Sequence, residues 1–323
     1  MDTLYVRTPI IDSLPLSKRW GRPVYLKMES GQPSGSFKNR AIGALCVEGQ
    51  ANGAAGFVSS SGGNAGYSAA YCGRRLGLPV TVFVPSTTAP RFHHLIAAQG
   101  ADVRVAGSVW DETHEIALAF AEETGALYVH PFDHPTVWRG NSTMIDEIAE
   151  DFGKPGAVIC SVGGGGLLCG VVEGLERHGW QDVPVLAVET EGAASFAASL
   201  NAGHLVTLDR ITSIATTLGA KTVTPQALAW ARAHPIQSAL VTDAQAIAAC
   251  VAFADDHRVM VEPACGASLA VAYERMDVLP DADPVVIIVC GGVGVDTRML
   301  AAWAGDGPDS KSEPGMAKPA EAG

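Results

Sequence analysis

Three glycine-rich turns in this chain each follow a short apolar run. The runs Gly56–Ser60, Ala157–Val162 and Val285–Cys290 show little polar alternation, which is typical of strands buried on both faces. Such strands belong to parallel sheets, whose two faces are covered by helices and whose ligands lie beyond the carboxyl ends of the strands. The chain is therefore predicted to be an α/β protein with parallel sheets flanked by helices.

Further strands and helices alternate between these turns. Predicted strands also cover Val80–Pro85, Asp102–Val105 and Val185–Glu189. Helical patterns cover Asn64–Leu78, Pro90–Gln99 and about 136–152, 167–178 and 243–255. Residues 305–323 are rich in Gly, Pro, Ser, Glu and Lys and have almost no large apolar side chain, so a disordered tail is predicted there.

Composition narrows the possible partners and the compartment. Hydrophobic residues make up 47% of the 323 residues, enough for a large buried core. The net charge of −12 argues against nucleic acid and anionic membranes, which bind basic surfaces. No apolar run is long enough to span a bilayer, and the first residues lack the pattern of a secretory signal. Seven cysteines without a CxxC pair indicate reduced thiols, so a cytoplasmic protein is predicted.

The first segment with chemical potential is Pro33–Arg40, in which Lys38 follows a Gly/Ser turn and an aromatic ring, Phe37. A partly desolvated lysine loses its charge easily and forms a Schiff base with a carbonyl. A surface lysine in a loop is the alternative. The second segment, Ser59–Gly66, joins a strand to a helix, and its free N–H groups suit a carboxylate, although an ordinary capped connection fits equally.

Two further segments follow strands. Four successive glycines, Gly163–Gly166, allow the backbone to approach a phosphate at the start of a helix. The loop lacks the Lys-Ser or Lys-Thr of a P-loop and the pattern of a dinucleotide fingerprint, which disfavours a nucleotide-binding oxidoreductase. Cys290 ends the last predicted strand, in the crevice where α/β proteins bind ligands, unless it is simply a buried structural thiol.

In this order, the four segments resemble the fold-type II pyridoxal-phosphate enzymes, specifically the serine/threonine dehydratases and most closely their liver-type, catabolic L-serine dehydratase group. The likeness runs from about Thr8 to about Ala304 and includes Val261–Ala267. It implies a two-lobed fold like that of the tryptophan synthase β subunit. The large cofactor-binding domain would comprise 1–34 and 136–304, with a small inserted domain at 35–135.

The resemblance also implies a role for each site residue. Lys38 would hold pyridoxal phosphate as a Schiff base and take the substrate Cα proton, with Ser61 as a second catalytic residue. Phe37 would pack on the pyridine ring, and Asn64 would hydrogen-bond its 3′-oxygen and contact the substrate. The other implied contacts are the substrate carboxylate (Ser61, Gly62, Ala65), the phosphate (Gly163, Gly164, Gly165, Gly166, Leu167) and the pyridine nitrogen (Cys290). A neutral thiol at that nitrogen makes the ring a weaker electron sink than a carboxylate does, which favours β-elimination over transamination.

A monovalent cation and a partner subunit are implied as well. The family holds potassium near the phosphate loop, and members are commonly homodimers. The matching cation positions here are Gly163, Glu189, Ala193, Ser195, Leu218 and Ala220.

The activity implied is conversion of L-serine to pyruvate and ammonia, with L-threonine giving 2-oxobutanoate. Threonine dehydratase, serine racemase, threonine synthase and a cysteine synthase-like transferase are alternatives on the same fold. A pyridoxal-phosphate-binding protein without catalysis is the alternative from another class. Intact Lys38, Asn64 and Gly163–Gly166 argue against it.

Overall fold

The computed structural model describes residues 3–274, 276–278 and 281–305. Their strands are β1 (Ile10–Asp12), β2 (Val24–Lys27), β3 (Phe57–Ser59), β4 (Val80–Val84), β5 (Asp102–Val105), β6 (Leu127–Tyr128), β7 (Ala157–Ser161), β8 (Val185–Thr190), β9 (Ile236–Val241) and β10 (Val285–Ile288). Their helices are α1 (Leu14–Trp20), α2 (Lys38–Ala51), α3 (Asn64–Leu76), α4 (Pro90–Ala98), α5 (Trp110–Thr124), α6 (Pro135–Asp151), α7 (Gly166–Arg177), α8 (Ser195–Ala202), α9 (Pro225–Ala233), α10 (Asp243–His257), α11 (Pro263–Glu274) and α12 (Thr297–Gly305). Short 3-10 helices lie at Glu29–Gly31, Glu191–Ala193, Thr216–Leu218 and Met276–Val278.

The strands form two sheets. The larger has the order β1-β2-β10-β7-β8-β9, and the smaller has the order β5-β4-β3-β6. All pairs are parallel except β1 with β2, which is antiparallel. The chain leaves the larger sheet after β2, builds the smaller sheet, and returns at β7. The predicted α/β fold with parallel sheets is confirmed.

The apolar strands form the centre of the larger sheet. Every residue of β7, β8 and β10 is buried, so these strands lack the alternation of a sheet with one solvated face. Because their carboxyl ends lie along one edge of the sheet, the loops that follow them meet there.

A buried ionic network fixes α2, the helix that begins at Lys38. Arg40 donates from Nε to Glu29 Oε2 at 2.7 Å and from Nη1 to Glu147 Oε1 at 2.7 Å. Lys27 of β2 donates from Nζ to the other Glu147 oxygen at 2.5 Å. Removing one partner of such a buried pair costs about 3–5 kcal/mol, because a charge is left uncompensated. The network therefore ties the first turns of α2 to β2 and α6.

The predicted disordered tail, 305–323, lies outside the described residues except at its first position. Gly305 is the last residue of α12. No helix in the described part of the chain is long and apolar enough to cross a bilayer.

Candidate active site

Hydrogen bonds join three of the four predicted segments. The Phe37 N–H donates to the carbonyl of Cys290 at 3.1 Å, which pairs the lysine turn with the loop after β10. In that loop, the Val293 N–H donates to Asn64 Oδ1 at 3.0 Å. Lys38, Asn64 and Cys290 therefore belong to one site, although they begin or follow three separate elements.

The fourth segment, the glycine loop, and the Lys38 amine contact two adjacent residues, Phe132 and Pro131. Lys38 Nζ donates to the carbonyl of Pro131 at 2.6 Å. The next residue, Phe132, packs on the glycine loop: a Cβ on Gly164 would lie 2.3 Å from its ring, and one on Gly166 would lie 2.7 Å from its carbonyl oxygen. The lysine amine and the glycine loop thus lie on the same side of the molecule and contact adjacent residues.

Burial makes the Lys38 amine reactive. The residue as a whole is partly accessible, but its amine is buried deeply enough that the pKa falls from 10.5 to about 8. Cys290 and Glu262 oppose this shift when they are ionised. The Phe37 ring lies beside the amine, with its centroid 5.1 Å from Nζ. A substantial fraction of the amine is therefore neutral near pH 8 and able to attack a carbonyl.

Cys290 is a neutral thiol. A hydrogen bond with Cys265 and burial together raise its pKa well above the usual thiol range. Only an ionised Cys290 could favour a charged Lys38, so the neutral thiol does not oppose the effect of burial on the lysine.

The predicted substrate contacts surround the start of α3. Asn64 and Ala65 are the first two residues of this helix, and both are buried. No side chain caps the helix, so N–H groups of its first turn are free to bind an anion. Ser61 Oγ lies 3.4 Å from the N–H of Gly63, and a Cβ on Gly62 would lie 2.6 Å from Thr88 Cγ2.

The glycine loop leads into the uncapped start of α7. Gly165 adopts a left-handed φ of +90°, and a Cβ there would meet Thr224 Cγ2 at 2.9 Å. No side chain caps the helix, whose first two residues are Gly166 and Leu167. The helix dipole and its free N–H groups make this loop a suitable phosphate site.

Two of the predicted cation residues, Gly163 and Glu189, lie at the carboxyl ends of β7 and β8. The Val162 N–H donates to the Val188 carbonyl at 2.8 Å, so the residues that follow, Gly163 and Glu189, are neighbours. A Cβ on Gly163 would lie 3.2 Å from the carbonyl oxygen of Leu218.

Glu189 is an unusual carboxylate. Its two oxygens accept the N–H groups of Phe196 and Ala197, both at 2.8 Å, at the start of α8. Burial nevertheless raises its pKa from 4.5 to about 7. Ser195 Oγ is buried without a hydrogen-bond partner, Ala193 ends one 3-10 helix, and Ala220 follows another.

Three site residues received no role from sequence reasoning. Glu262 and Thr217 share a hydrogen bond, Glu262 also accepts from Asn64, and Pro131 holds the Lys38 amine. A lone carboxylate in an apolar run was the available signal for Glu262, since a buried acid needs polar partners. Nothing local distinguished Thr217 or the Pro131 carbonyl.

Comparisons with known proteins give the family. The model of the family described as pyridoxal-phosphate dependent enzyme matches residues 1–291. The chain belongs to this family. A human relative, L-serine dehydratase/L-threonine deaminase, is 48% identical over 311 residues, which cover 93% of this chain and 95% of that protein.

Solved structures agree with this assignment. A fungal L-serine ammonia-lyase from Rhizomucor miehei matches with a TM-score of 0.88 and 36% identity, covering 94% of this chain and 99% of that one. Maize serine racemase matches with a TM-score of 0.86 and 24% identity, covering 92% and 91% of the two chains, a likeness that shows the fold alone. The predicted family is confirmed.

The residues present fit pyridoxal phosphate. A buried amine with a lowered pKa suits its aldehyde, and the uncapped glycine loop, which side chains would fill, suits its phosphate. The Phe37 ring lies close enough to the amine to contact a planar ring attached there.

Proposed function

We propose that this enzyme converts L-serine to pyruvate and ammonia by β-elimination and converts L-threonine to 2-oxobutanoate in the same way. The observation that carries the proposal is the placement of a reactive Lys38 amine and an uncapped glycine loop against the same dipeptide, Pro131-Phe132. The name and the 48% identity of the human relative support the choice of substrates.

Each residue has a defined task in this proposal. The cofactor, when bound, supplies a ring that stabilises negative charge at the substrate Cα. Lys38 would anchor it and, once the substrate amine has displaced the lysine from the cofactor, would accept the Cα proton as a neutral amine. The free N–H groups at the start of α3, with Ser61 and Asn64, bind and orient the substrate carboxylate. The β-hydroxyl would leave as water with the proton taken from Cα, and the resulting aminoacrylate would add water and lose ammonia, which gives pyruvate.

The neutral Cys290 thiol supports elimination rather than transamination. Its raised pKa keeps it protonated, so it cannot act as the anionic partner that would hold a pyridine nitrogen protonated. The negative charge at Cα is then less delocalised, and prompt loss of the β-hydroxyl is favoured.

The cation and the lobes complete the proposal. Potassium would sit between Gly163, Glu189 and Leu218, with Ala193, Ser195 and Ala220 beside them, and it would favour the ionised form of Glu189. The cofactor would lie between a small lobe, 35–135, and a large one, 1–34 and 136–304. The homodimer and the cytoplasmic location stay predictions.

The test is a spectrum combined with product analysis. The holoprotein should be yellow, lose its visible band with hydroxylamine, and form pyruvate and ammonia in equal amounts from L-serine. Lys38→Ala should lose both the band and turnover, while Lys154→Ala, which removes an exposed lysine, should keep both. Near-normal turnover in Lys38→Ala overturns the proposal, and D-serine as the main product points to the racemase alternative.

A further inference from the structure

We propose that Glu262 is a positioning residue that fixes the side-chain amide of Asn64, so that one N–H of that amide stays directed at the cofactor. This inference rests on the proposed function, because it assumes that Asn64 faces pyridoxal phosphate. It assigns a role to a buried acid for which the described part of the chain shows no hydrogen bond to Lys38 or to the glycine loop.

Glu262 is held by three elements. It is only 3% exposed and directly precedes α11. Its Oε1 accepts from Asn64 Nδ2 at 2.6 Å and from the Thr217 hydroxyl, and its Oε2 accepts from the Gly294 N–H at 2.8 Å. Burial raises its pKa, and these hydrogen bonds only partly oppose the rise. A buried carboxyl group with this many donors is costly to replace.

The two contacts of Asn64 allow only one orientation of its amide. The Val293 N–H is a donor and must meet the oxygen, Oδ1, at 3.0 Å. Glu262 accepts and must meet the nitrogen, Nδ2. The amide nitrogen carries two hydrogens. Because one N–H donates its hydrogen bond to Glu262, the other N–H remains available as a donor. A flipped amide would oppose donor to donor at Val293 and acceptor to acceptor at Glu262.

The loop after β10 is shaped around this carboxyl group. A Cβ on Gly292 would lie 2.0 Å from Glu262 Cδ, and Gly292 has a left-handed φ of +125°. A Cβ on Gly294 would lie 2.6 Å from Glu262 Oε2. Both positions therefore require glycine for Glu262 to reach Asn64, which links the loop that follows Cys290 to the start of α3.

A glutamine at position 262 cannot make all of these contacts. Its oxygen can accept from Asn64 and Thr217, but its NH₂ group then faces the Gly294 N–H. Reversing the amide satisfies Gly294 and opposes two NH₂ groups at Asn64. An aspartate keeps the charge but is one methylene too short to span Asn64 and Gly294 together.

The experiment compares Glu262→Gln and Glu262→Asp with the wild-type holoprotein. In both variants we expect the dissociation constant for pyridoxal phosphate to rise by about tenfold to a hundredfold, the scale of one hydrogen bond to a charged group. We also expect the pH titration of the visible band to shift and kcat for L-serine to fall, because the lost contact acts on the cofactor. If only Glu262→Gln shows these changes, the charge matters rather than the position, and the proposal is wrong.

A double-mutant cycle tests whether Glu262 acts through Asn64. In an Asn64→Ala background, Glu262→Gln should change the cofactor dissociation constant by less than about threefold, because no amide remains to be oriented. Fully additive effects contradict the proposal.

Glu176→Gln is the control. It changes a partly buried carboxylate that is hydrogen-bonded to His234 at 2.9 Å near the carboxyl end of α7, at the other end of this helix from the glycine loop, and should leave the band unshifted. A band shift there as large as that of Glu262→Gln would make the effect a general result of losing a carboxylate, and this too overturns the proposal. If the wild-type protein has a normal band but forms no pyruvate, the proposed reaction is refuted. The spectra of the variants would then still test the role of Glu262.

Discussion

The pKa of Lys38 predicts how the protein without cofactor takes up pyridoxal phosphate as the pH changes. Burial lowers this pKa from 10.5 to about 8, a difference of about 2.5 pH units, which corresponds to about 3 kcal/mol in favour of the neutral amine. At pH 7 about one tenth of the amine is neutral, roughly 300-fold more than for an unperturbed lysine. Because only the neutral amine attacks an aldehyde, the recombination rate should rise about tenfold per pH unit below 8 and level off above it.

Stopped-flow absorbance of the visible band measures this rate directly. The ionisation of the cofactor itself also changes the rate, so each value is divided by that for a free lysine derivative at the same pH. The ratio should be largest below the Lys38 pKa and shrink by a constant factor per pH unit as the pH rises from about 8 to about 10.5. A ratio that does not change with pH would show that the amine has the pKa of an exposed lysine and would refute the argument from burial.

Three further predictions concern the rest of the site. Burial raises the Glu189 pKa from 4.5 to about 7, so its protonated form contributes stability that is fully present below pH 4.5 and lost as the pH rises through about 7. Without potassium, the melting temperature should therefore fall over this pH range more in the wild type than in Glu189→Gln. Potassium chloride should reduce this difference between the two proteins, whereas tetramethylammonium chloride should not. Gly62→Ala places a Cβ 2.6 Å from Thr88 and should lower kcat/KM for L-serine about tenfold, with recovery when Thr88→Ala is added; no recovery would show that the clash is not the cause. Gly164→Ala collides with Phe132 at 2.3 Å and should weaken pyridoxal-phosphate binding at least tenfold in a fluorescence titration, and unchanged binding would remove the glycine loop from the phosphate site.

The strands that the sequence predicted well are those whose burial on both faces produces a continuous apolar run. Ala157–Val162 and Val285–Cys290 were predicted from continuous apolar character, and β7 and β10 end within two residues of these bounds. β9 was not predicted, because Gln237 and Ser238 interrupt its apolar run at an edge of the sheet. α11 was not predicted either: it is buried on all sides, so its sequence has no helical alternation of polar and apolar residues.

The site residues also divide into those that a local sequence pattern reveals and those that it does not. Lys38, Asn64 and the glycine loop stand beside turns that local patterns reveal, and the resemblance gave them roles that stay predictions. The contact between Asn64 and Glu262 joins residues 198 positions apart, and no periodicity or spacing encodes such a pair. Thr217 reaches Glu262 from a 3-10 helix, which has too few residues to leave a pattern. Contacts of this kind depend on how the two sheets are placed, which only the folded chain determines.

Two ionisable groups beside the proposed cofactor position have pKa values shifted in favour of the neutral form. Burial lowers the pKa of the Lys38 amine, and a hydrogen bond with Cys265 together with burial raises the pKa of the Cys290 thiol. A neutral amine is the form that can take a proton from the substrate. A neutral thiol adds no negative charge that would favour protonation of this amine. A carboxylate in place of the Cys290 thiol would add a buried negative charge close to Lys38, raise the pKa of its amine, and so weaken the base on which the proposed elimination depends.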